Sequence, residues 1–104
     1  MQVVILAGGF GSRISEYTKL IPKPMIKINK KPIISHIIDI YQKYNVSEFL
    51  IATGYKGKII ENYFKNSKIN IKCIYTGKNV MTGGRLKRVK KYLNDTFMLT
   101  YGDG

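Results

Sequence analysis

Short apolar runs that are typical of buried strands alternate along this chain with longer segments of helical periodicity. The runs, rich in β-branched residues, are QVVIL at 2–6, EFLIAT at 48–53, INIKCIYT at 69–76 and TFMLT at 96–100. Strands that alternate with helices join in parallel, and the helices then cover both faces of the sheet. The pattern therefore predicts an α/β fold with a mostly parallel sheet, and the length of 104 residues predicts a single domain, 1–104.

Apolar residues recur at intervals of three and four in the segments between those runs. The predicted helices are KPIISHIIDIYQKYN at 31–45, KGKIIENYFKN at 56–66 and TGGRLKRVKKYL at 82–93, with a short helical segment near 14–17. We expect IPKPMIKI at 21–28 to be extended, because each proline disfavours helix in the residue before it. The NKK that follows at 29–31 is expected to turn the chain.

The first apolar run leads directly into a glycine-rich stretch, LAGGFGSR at 6–13. Glycines after a strand let the main chain approach a phosphate closely, and the following helix start supplies N–H donors. Arg13 adds a planar fork of donors that matches two phosphate oxygens. The stretch is neither a dinucleotide fingerprint, since Ile14 replaces its third glycine, nor a P-loop. A phosphate loop is indicated, with an ordinary tight turn as the alternative.

Ligands of parallel α/β sheets bind beyond the carboxyl ends of the strands. Four stretches follow predicted strands and should line one such edge: 8–13, 54–57, 77–84 and 102–103. Lys23, held between two prolines, suits a phosphate clamp, although a surface lysine is the alternative. Asp103 lies between two glycines, and its carboxylate suits a hard divalent cation. The alternative is that Asp103 is an ordinary turn residue.

The charge balance is strongly basic, with 18 Lys and Arg against six Asp and Glu and a net charge of +12. Such a chain attracts polyanions, including nucleic acid, anionic membranes and phosphorylated small molecules, unless the lysines only solvate the surface. Cys73 is the single cysteine, which excludes an internal disulfide and favours a structural thiol in a strand. The first apolar run is too short for a signal peptide or membrane span, so we expect a cytoplasmic protein.

LAGGFGSR, PKP at 22–24 and YGDG at 101–104 together resemble the sugar-1-phosphate nucleotidyltransferases. GYKGKIIENYF at 54–64 and TGKNVMTGGRLKRVKKYL at 76–93 look like the glucose-1-phosphate cytidylyltransferases within that family. The resemblance covers nearly the whole chain. It implies the N-terminal part of a Rossmann-like three-layer sandwich of the nucleotide-diphospho-sugar transferase type. The stretch between Phe64 and Tyr75 is shorter than in the cytidylyltransferases.

The family's functional residues map onto matching positions of this sequence. The nucleotide-binding positions implied are Leu6, Ala7, Gly8, Gly9, Gly11, Ser12, Thr82, Gly83 and Gly84. Arg13 and Lys23 correspond to the catalytic residues that grip the phosphates, and Asp103 corresponds to the ligand of Mg²⁺. The expected substrates are a nucleoside triphosphate, CTP above all, and a sugar-1-phosphate such as glucose-1-phosphate.

The family reaction is attack by a sugar-1-phosphate oxygen on the α-phosphorus of the nucleotide, with pyrophosphate leaving. The nucleophile is already anionic, so positioning and charge neutralisation replace a general base. His36 is accordingly expected to be a packing or surface residue. We expect neither nucleic acid nor a membrane as partner, and a homo-oligomer is possible in the full-length family.

The family continues beyond the position of Gly104, so this chain is expected to be an incomplete, inactive portion of the enzyme. One alternative is a non-catalytic nucleotide-binding fragment. The other is a basic nucleic-acid-binding module on the outer face of the last predicted helix. Its cations would be Arg85, Lys87, Arg88, Lys90 and Lys91.

Overall fold

The computed structural model describes residues 1–8, 21–77 and 82–102. Its strands are β1 (Gln2–Ala7), β2 (Lys27–Ile28), β3 (Lys31–Pro32), β4 (Glu48–Thr53), β5 (Ile71–Tyr75) and β6 (Phe97–Tyr101). Its α-helices are α1 (Ile33–Tyr41), α2 (Gly57–Phe64) and α3 (Thr82–Val89), and Lys90–Tyr92 continue α3 as a 3₁₀ turn. The predicted helical segment near 14–17 lies outside the described residues.

The central sheet is parallel, with strand order β5-β4-β1-β6 in the described part of the chain. Val4 pairs in register with Leu50 of β4 on one side and with Leu99 of β6 on the other. Every residue of β1 is buried, as expected for a central strand that is covered on both faces. The predicted α/β fold with a parallel sheet is therefore confirmed.

Alternate residues of β1 point to two separate apolar clusters. Val3 and Ile5 pack on one face with Ile34 and Ile38 of α1 and with Ile60 of α2. The opposite face carries a smaller cluster, formed by Val4, Leu6, Leu50, Ala52 and Val89 of α3. Helices on both faces leave the carboxyl edge of the sheet as the place where its loops meet.

The segment after the first described gap differs from the sequence prediction. Lys23–Met25 form a 3₁₀ turn rather than extended chain, with the N–H of Met25 donating to Pro22 O at 2.9 Å. Proline is tolerated in a first helical turn, and burial of Met25 in the core favours this conformation.

The predicted turn at 29–31 is confirmed. Asn29 and Lys30 have positive φ values of 53° and 68° and connect the short hairpin of β2 and β3. His36 of α1 is half-buried and donates from Nε2 to Ile28 O at 2.7 Å, so it holds the helix against this hairpin. Among the described residues, the longest apolar helix falls short of what a membrane span requires.

Candidate functional site

The loops that follow the strands approach one another at the carboxyl edge of the sheet. The N–H of Gly102, after β6, donates to Leu6 O at 2.9 Å, and that of Tyr55, after β4, approaches Gly8 O at 3.4 Å. The N–H of Thr76, after β5, donates to Thr53 O at 2.8 Å. The four stretches expected at one edge thus meet there, as far as the structure describes them.

A buried arginine joins three of these loop starts. The side chain of Arg85, in α3, is 5% exposed. Its Nη2 donates to Gly8 O at 2.8 Å, and its Nη1 donates to Thr76 Oγ1 at 2.9 Å and Gly77 O at 2.7 Å. A longer contact of 3.4 Å joins Nη1 to Thr53 O. The guanidinium therefore bridges the ends of β1, β4 and β5.

The expectation that Arg85 lies on the outer face of its helix is wrong. Arg85 and Val89 are four residues apart, and both are buried on the side of α3 that packs against the sheet. Lys87 and Arg88 do lie on the exposed side, while Leu86 is half-buried. The four-residue spacing of Arg85 and Val89 was the sequence signal that both lie on the inward side of α3. Cations are rarely buried, so the side chain of Arg85 was instead expected to be solvated.

Glycine is required beside this arginine for reasons of space. A Cβ at Gly8 would overlap the guanidinium of Arg85. A Cβ at Gly54 would lie 2.5 Å from Arg85 Nη1 and 2.6 Å from Gly77 O. The missing side chains at these two positions therefore admit the guanidinium between the loop after β1 and the loop after β4.

Thr76 orients the other partners of the guanidinium. Its hydroxyl donates to Thr53 O at 2.8 Å and accepts from Arg85 Nη1. Arg88 Nη1 donates to Thr76 O at 2.5 Å from the neighbouring turn of α3. Thr76 begins the 76–93 motif but was not among the predicted site residues, and it belongs to the same hydrogen-bonded unit.

Burial lowers the pKa of Arg85; Tyr75 opposes this shift, and the nearby cation Arg88 adds to it. Arginine starts from so high a pKa that the group stays charged at neutral pH. A fixed positive charge therefore lies within hydrogen-bonding distance of Gly8 O, at the first glycine of the glycine-rich stretch. Such a charge favours an anion at this edge of the sheet.

The remaining predicted site residues have varied locations. Leu6, Ala7 and Gly8 are buried at the end of β1. Lys23 is half-buried in the 3₁₀ turn, while Gly83 is exposed and Gly84 half-buried in the first turn of α3, which Thr82 begins. Gly9, Gly11, Ser12, Arg13 and Asp103 lie outside the described residues.

A pocket of about 610 Å³ opens beside the end of β4. Thr53, Gly54, Lys56, Glu61 and Tyr75 contribute to its walls. Its volume is within the range of small-molecule sites. The described edge therefore combines Gly8 and Gly54, a buried cation and a pocket of ligand size.

A parallel sheet with these features at its carboxyl edge defines an α/β protein built to bind a ligand there. The chain belongs to the nucleotidyl transferase family, whose model matches residues 2–103. The resemblance drawn from the motifs is thereby confirmed at the level of the family.

Two relatives are similar along the whole or nearly the whole chain. A glucose-1-phosphate cytidylyltransferase of Salmonella typhimurium is 41% identical, and the match covers 100% of this chain and 51% of that protein. A D-glycero-alpha-D-manno-heptose 1-phosphate guanylyltransferase of Campylobacter jejuni is 36% identical, with 99% of this chain and 48% of that protein covered.

A solved structure has the same fold. HddC from Yersinia pseudotuberculosis, complexed with GMP-PN, superposes with a TM-score of 0.82 at 30% identity. The superposition covers 98% of this chain and 47% of that protein. The chain thus spans about half the length of each of these three proteins.

Proposed function

We propose that this chain is the nucleotide-binding part of an enzyme that transfers a nucleotidyl group from CTP to glucose-1-phosphate, giving CDP-glucose and pyrophosphate. The observation that carries the proposal is the 41% identity to the Salmonella cytidylyltransferase over the entire chain. The guanylyltransferase relative, at 36%, supports the same reaction class with another base and sugar.

The glycine-rich stretch 6–13 is proposed to hold the triphosphate through backbone N–H groups. Arg13 and Lys23 neutralise the phosphate oxygens, and Thr82–Gly84 face the base. Gly8, the first glycine of this stretch, accepts a hydrogen bond from the buried cation Arg85, which supports an anion at this position.

Asp103 is proposed to hold Mg²⁺. Gly102, just before it, is buried and its N–H donates to Leu6 O at the end of β1, which supports a site for Asp103 at the carboxyl edge of the sheet. A carboxylate is a ligand that this hard cation prefers. When bound, the cation would supply charge neutralisation for the phosphates.

In the proposed reaction, an oxygen of the sugar phosphate forms a bond to the α-phosphorus while the bond to pyrophosphate breaks. The attacking oxygen is anionic at neutral pH, so the chain needs no general base. Its contribution is to fix the triphosphate in line and to offset the charge with Arg13 and Lys23.

We propose that residues 1–104 alone bind the nucleotide without turnover, because the relatives are about twice as long. A segment corresponding to the other half of the relatives would position the sugar phosphate, and positioning is most of the catalysis in this chemistry. A cytoplasmic location and assembly of the full-length protein into a homo-oligomer are part of the same proposal.

Calorimetry with CTP, UTP, GTP and ATP in the presence of magnesium tests the binding proposal. We expect CTP to bind best, and we expect Gly9→Val or Gly11→Val to abolish binding in a folded protein. A preference for GTP would indicate instead that the chain is part of a guanylyltransferase. Absence of binding to all four nucleotides would overturn the proposal.

A pyrophosphate-release assay with CTP, glucose-1-phosphate and magnesium tests turnover. Release at about 1 per second or faster by residues 1–104 would show that the chain is a complete catalyst. In the longer protein, Arg13→Lys should lower turnover more than stability, because lysine keeps the charge but loses the planar fork.

A further inference from the structure

We propose that the outer side of α3 is a docking surface for the phosphate backbone of a nucleic acid, a function separate from the proposed nucleotidyl transfer. The surface, which we call the α3 basic face, consists of five exposed cations: Lys72, Lys87, Arg88, Lys90 and Lys91. The sequence-based alternative of a basic module on this helix thus returns, with Lys72 in place of the buried Arg85. It departs from the expectation that nucleic acid is not a partner.

The exposed side of α3 carries an unusual density of like charges. The helix and the 3₁₀ turn that continues it expose a cation at four of the five positions 87–91, and the fifth, Val89, is buried against the sheet. Lys87 and Lys91 are four residues apart on this exposed side. Like charges at that spacing destabilise a helix, so an anion bound between them relieves the repulsion.

Lys72 extends the face from the helix onto the sheet. It pairs in register with Leu50, which belongs to the apolar cluster under α3, so its side chain points to the side that α3 covers. Lys72 Nζ lies 4.6 Å from the ring centroid of Tyr92, and Lys91 Nζ lies 5.3 Å from the same centroid. The ring thus gathers two ammonium groups from separate elements. Stabilisation of the helix dipole accounts for cations at the end of α3 but not for Lys72.

The described carboxylates leave this charge unpaired. The ion pairs in the described part of the chain lie on the side of α1 and α2: Lys31–Asp39 and Lys58–Glu61. Glu48 precedes Leu50 by two residues on β4, but its Oε1 accepts from Gln2 Nε2 at 3.0 Å. Asp95 follows Tyr92 by three residues and is exposed. Neither Glu48 nor Asp95 forms an ion pair with the α3 basic face in the described structure.

The chemistry of this face fits a phosphate backbone better than an anionic membrane. A helix that binds a membrane surface inserts an apolar side into the lipid. The apolar side of α3 already packs on the sheet, with Leu86 and Leu93 half-buried and Val89 fully buried. A phosphate backbone needs only cations that replace its counterions. Because the bases are not contacted, we expect binding to be independent of sequence.

Fluorescence anisotropy with a labelled DNA duplex of about 20 base pairs tests the proposal on the chain as it stands. Five phosphate contacts predict a dissociation constant on the order of 10⁻⁶ M at about 50 mM salt. The logarithm of the affinity should fall with the logarithm of the salt concentration with a slope of about −4.5. An excess of CTP with magnesium should leave duplex binding unchanged, because the proposed nucleotide site is at the carboxyl edge of the sheet.

A pair of double variants separates this face from the general positive charge. Lys87→Ala with Lys91→Ala should weaken duplex binding at least about 10-fold and reduce the steepness of the salt dependence by about 2. The matched control is Lys43→Ala with Lys65→Ala, which removes two exposed cations beside the ends of α1 and α2. The control should change the affinity less than about twofold. All four side chains are exposed, and circular dichroism verifies that both variants are folded.

Absence of duplex binding by the wild type at low salt would overturn the proposal. Equal losses in the two double variants would also overturn it, since they would reflect net charge alone. Displacement of the duplex by CTP would assign the binding to the nucleotide site instead. Binding to vesicles of phosphatidylglycerol and phosphatidylcholine without binding to the duplex would identify a membrane surface and likewise contradict the proposal. None of these results bears on whether the chain binds CTP, which calorimetry measures separately.

Discussion

The guanidinium of Arg85 occupies the space in which a side chain of Gly8 would lie. The two residues are 77 positions apart, yet Arg85 Nη2 donates to Gly8 O at 2.8 Å. A Cβ built on Gly8 would approach Arg85 Nε to 2.6 Å and overlap the rest of the group. Position 8 must therefore be glycine because the side chain of Arg85 comes close to its backbone. This requirement is separate from any approach of a phosphate to the same backbone.

Gly8→Ala is expected to destabilise the folded chain by about 2–4 kcal/mol, because the guanidinium must leave its site and its acceptors lose their donors. Urea denaturation followed by circular dichroism measures this change. Gly83→Ala is the control, since a Cβ there meets no atom of the described residues within 4 Å. That substitution should leave stability unchanged or raise it by up to about 1 kcal/mol through helix propensity. Equal destabilisation by both substitutions would contradict the packing described around Gly8.

Removing the arginine should relieve the effect of Gly8→Ala more than that of Gly54→Ala. The Cβ of an alanine at position 54 would also lie 2.6 Å from Gly77 O and 2.8 Å from Gly8 O, which are backbone atoms. Double-mutant cycles with Arg85→Ala measure the two coupling energies. We expect a coupling above about 1 kcal/mol for Gly8 and a smaller one for Gly54. Similar couplings would mean that the arginine is not the neighbour that decides the cost at Gly8.

Cys73 should be a slow-reacting thiol in the folded protein. Burial, with a smaller contribution from the charge of Glu61, raises the pKa of the Cys73 thiol to about 11. Only about a thousandth of the thiol is then ionised at pH 8, and the thiolate is the reactive form. Reaction with iodoacetamide at pH 8 should be much slower for the folded chain than for the chain in denaturant. Equal rates would show that the side chain is not held in the half-buried position of β5.

The same shift should make stability depend on pH. The folded thiol keeps its proton to higher pH than the unfolded thiol, so its contribution is fully present below about pH 8.5. It is lost as the pH rises toward the folded pKa of about 11. The free energy of unfolding of the wild type should therefore fall relative to that of Cys73→Ala as the pH rises from 8 to 10. A constant difference over this interval would contradict the raised pKa.

Ile60 is expected to anchor α2 to the sheet. Its side chain is fully buried among Ile51, Phe49 and their neighbours, so Ile60→Ala should cost about 2–5 kcal/mol by leaving a cavity. Ile40→Ala is the matched control, because this isoleucine of α1 is 55% exposed. Its substitution should change stability by less than about 1 kcal/mol. Thermal unfolding of the two variants measures the contrast, and similar losses would place α2 elsewhere.

The order of the strands and helices could be predicted from the sequence because each element has a local signature. Apolar β-branched runs such as 48–53 form strands, and the recurrence of isoleucines in 33–38 forms a helix. The helix ends were less predictable: α1 ends at Tyr41 instead of Asn45. The 3₁₀ turn at Lys23–Met25 was missed because proline disfavours helix before it but permits a first helical turn.

By itself, the sequence determined the fold class, the edge of the sheet at which the loops meet and the family, since hydrophobic periodicity and short motifs are properties of neighbouring residues. Only the tertiary structure decided the position of Arg85. A cation four residues before Val89 is compatible with either side of α3 until its acceptors are known. Those acceptors include backbone oxygens of Gly8 and Gly77, whose positions depend on how distant segments pack and not on their side chains. The buried guanidinium that bridges the loop starts at the candidate site could therefore not be derived from residue types and spacing alone.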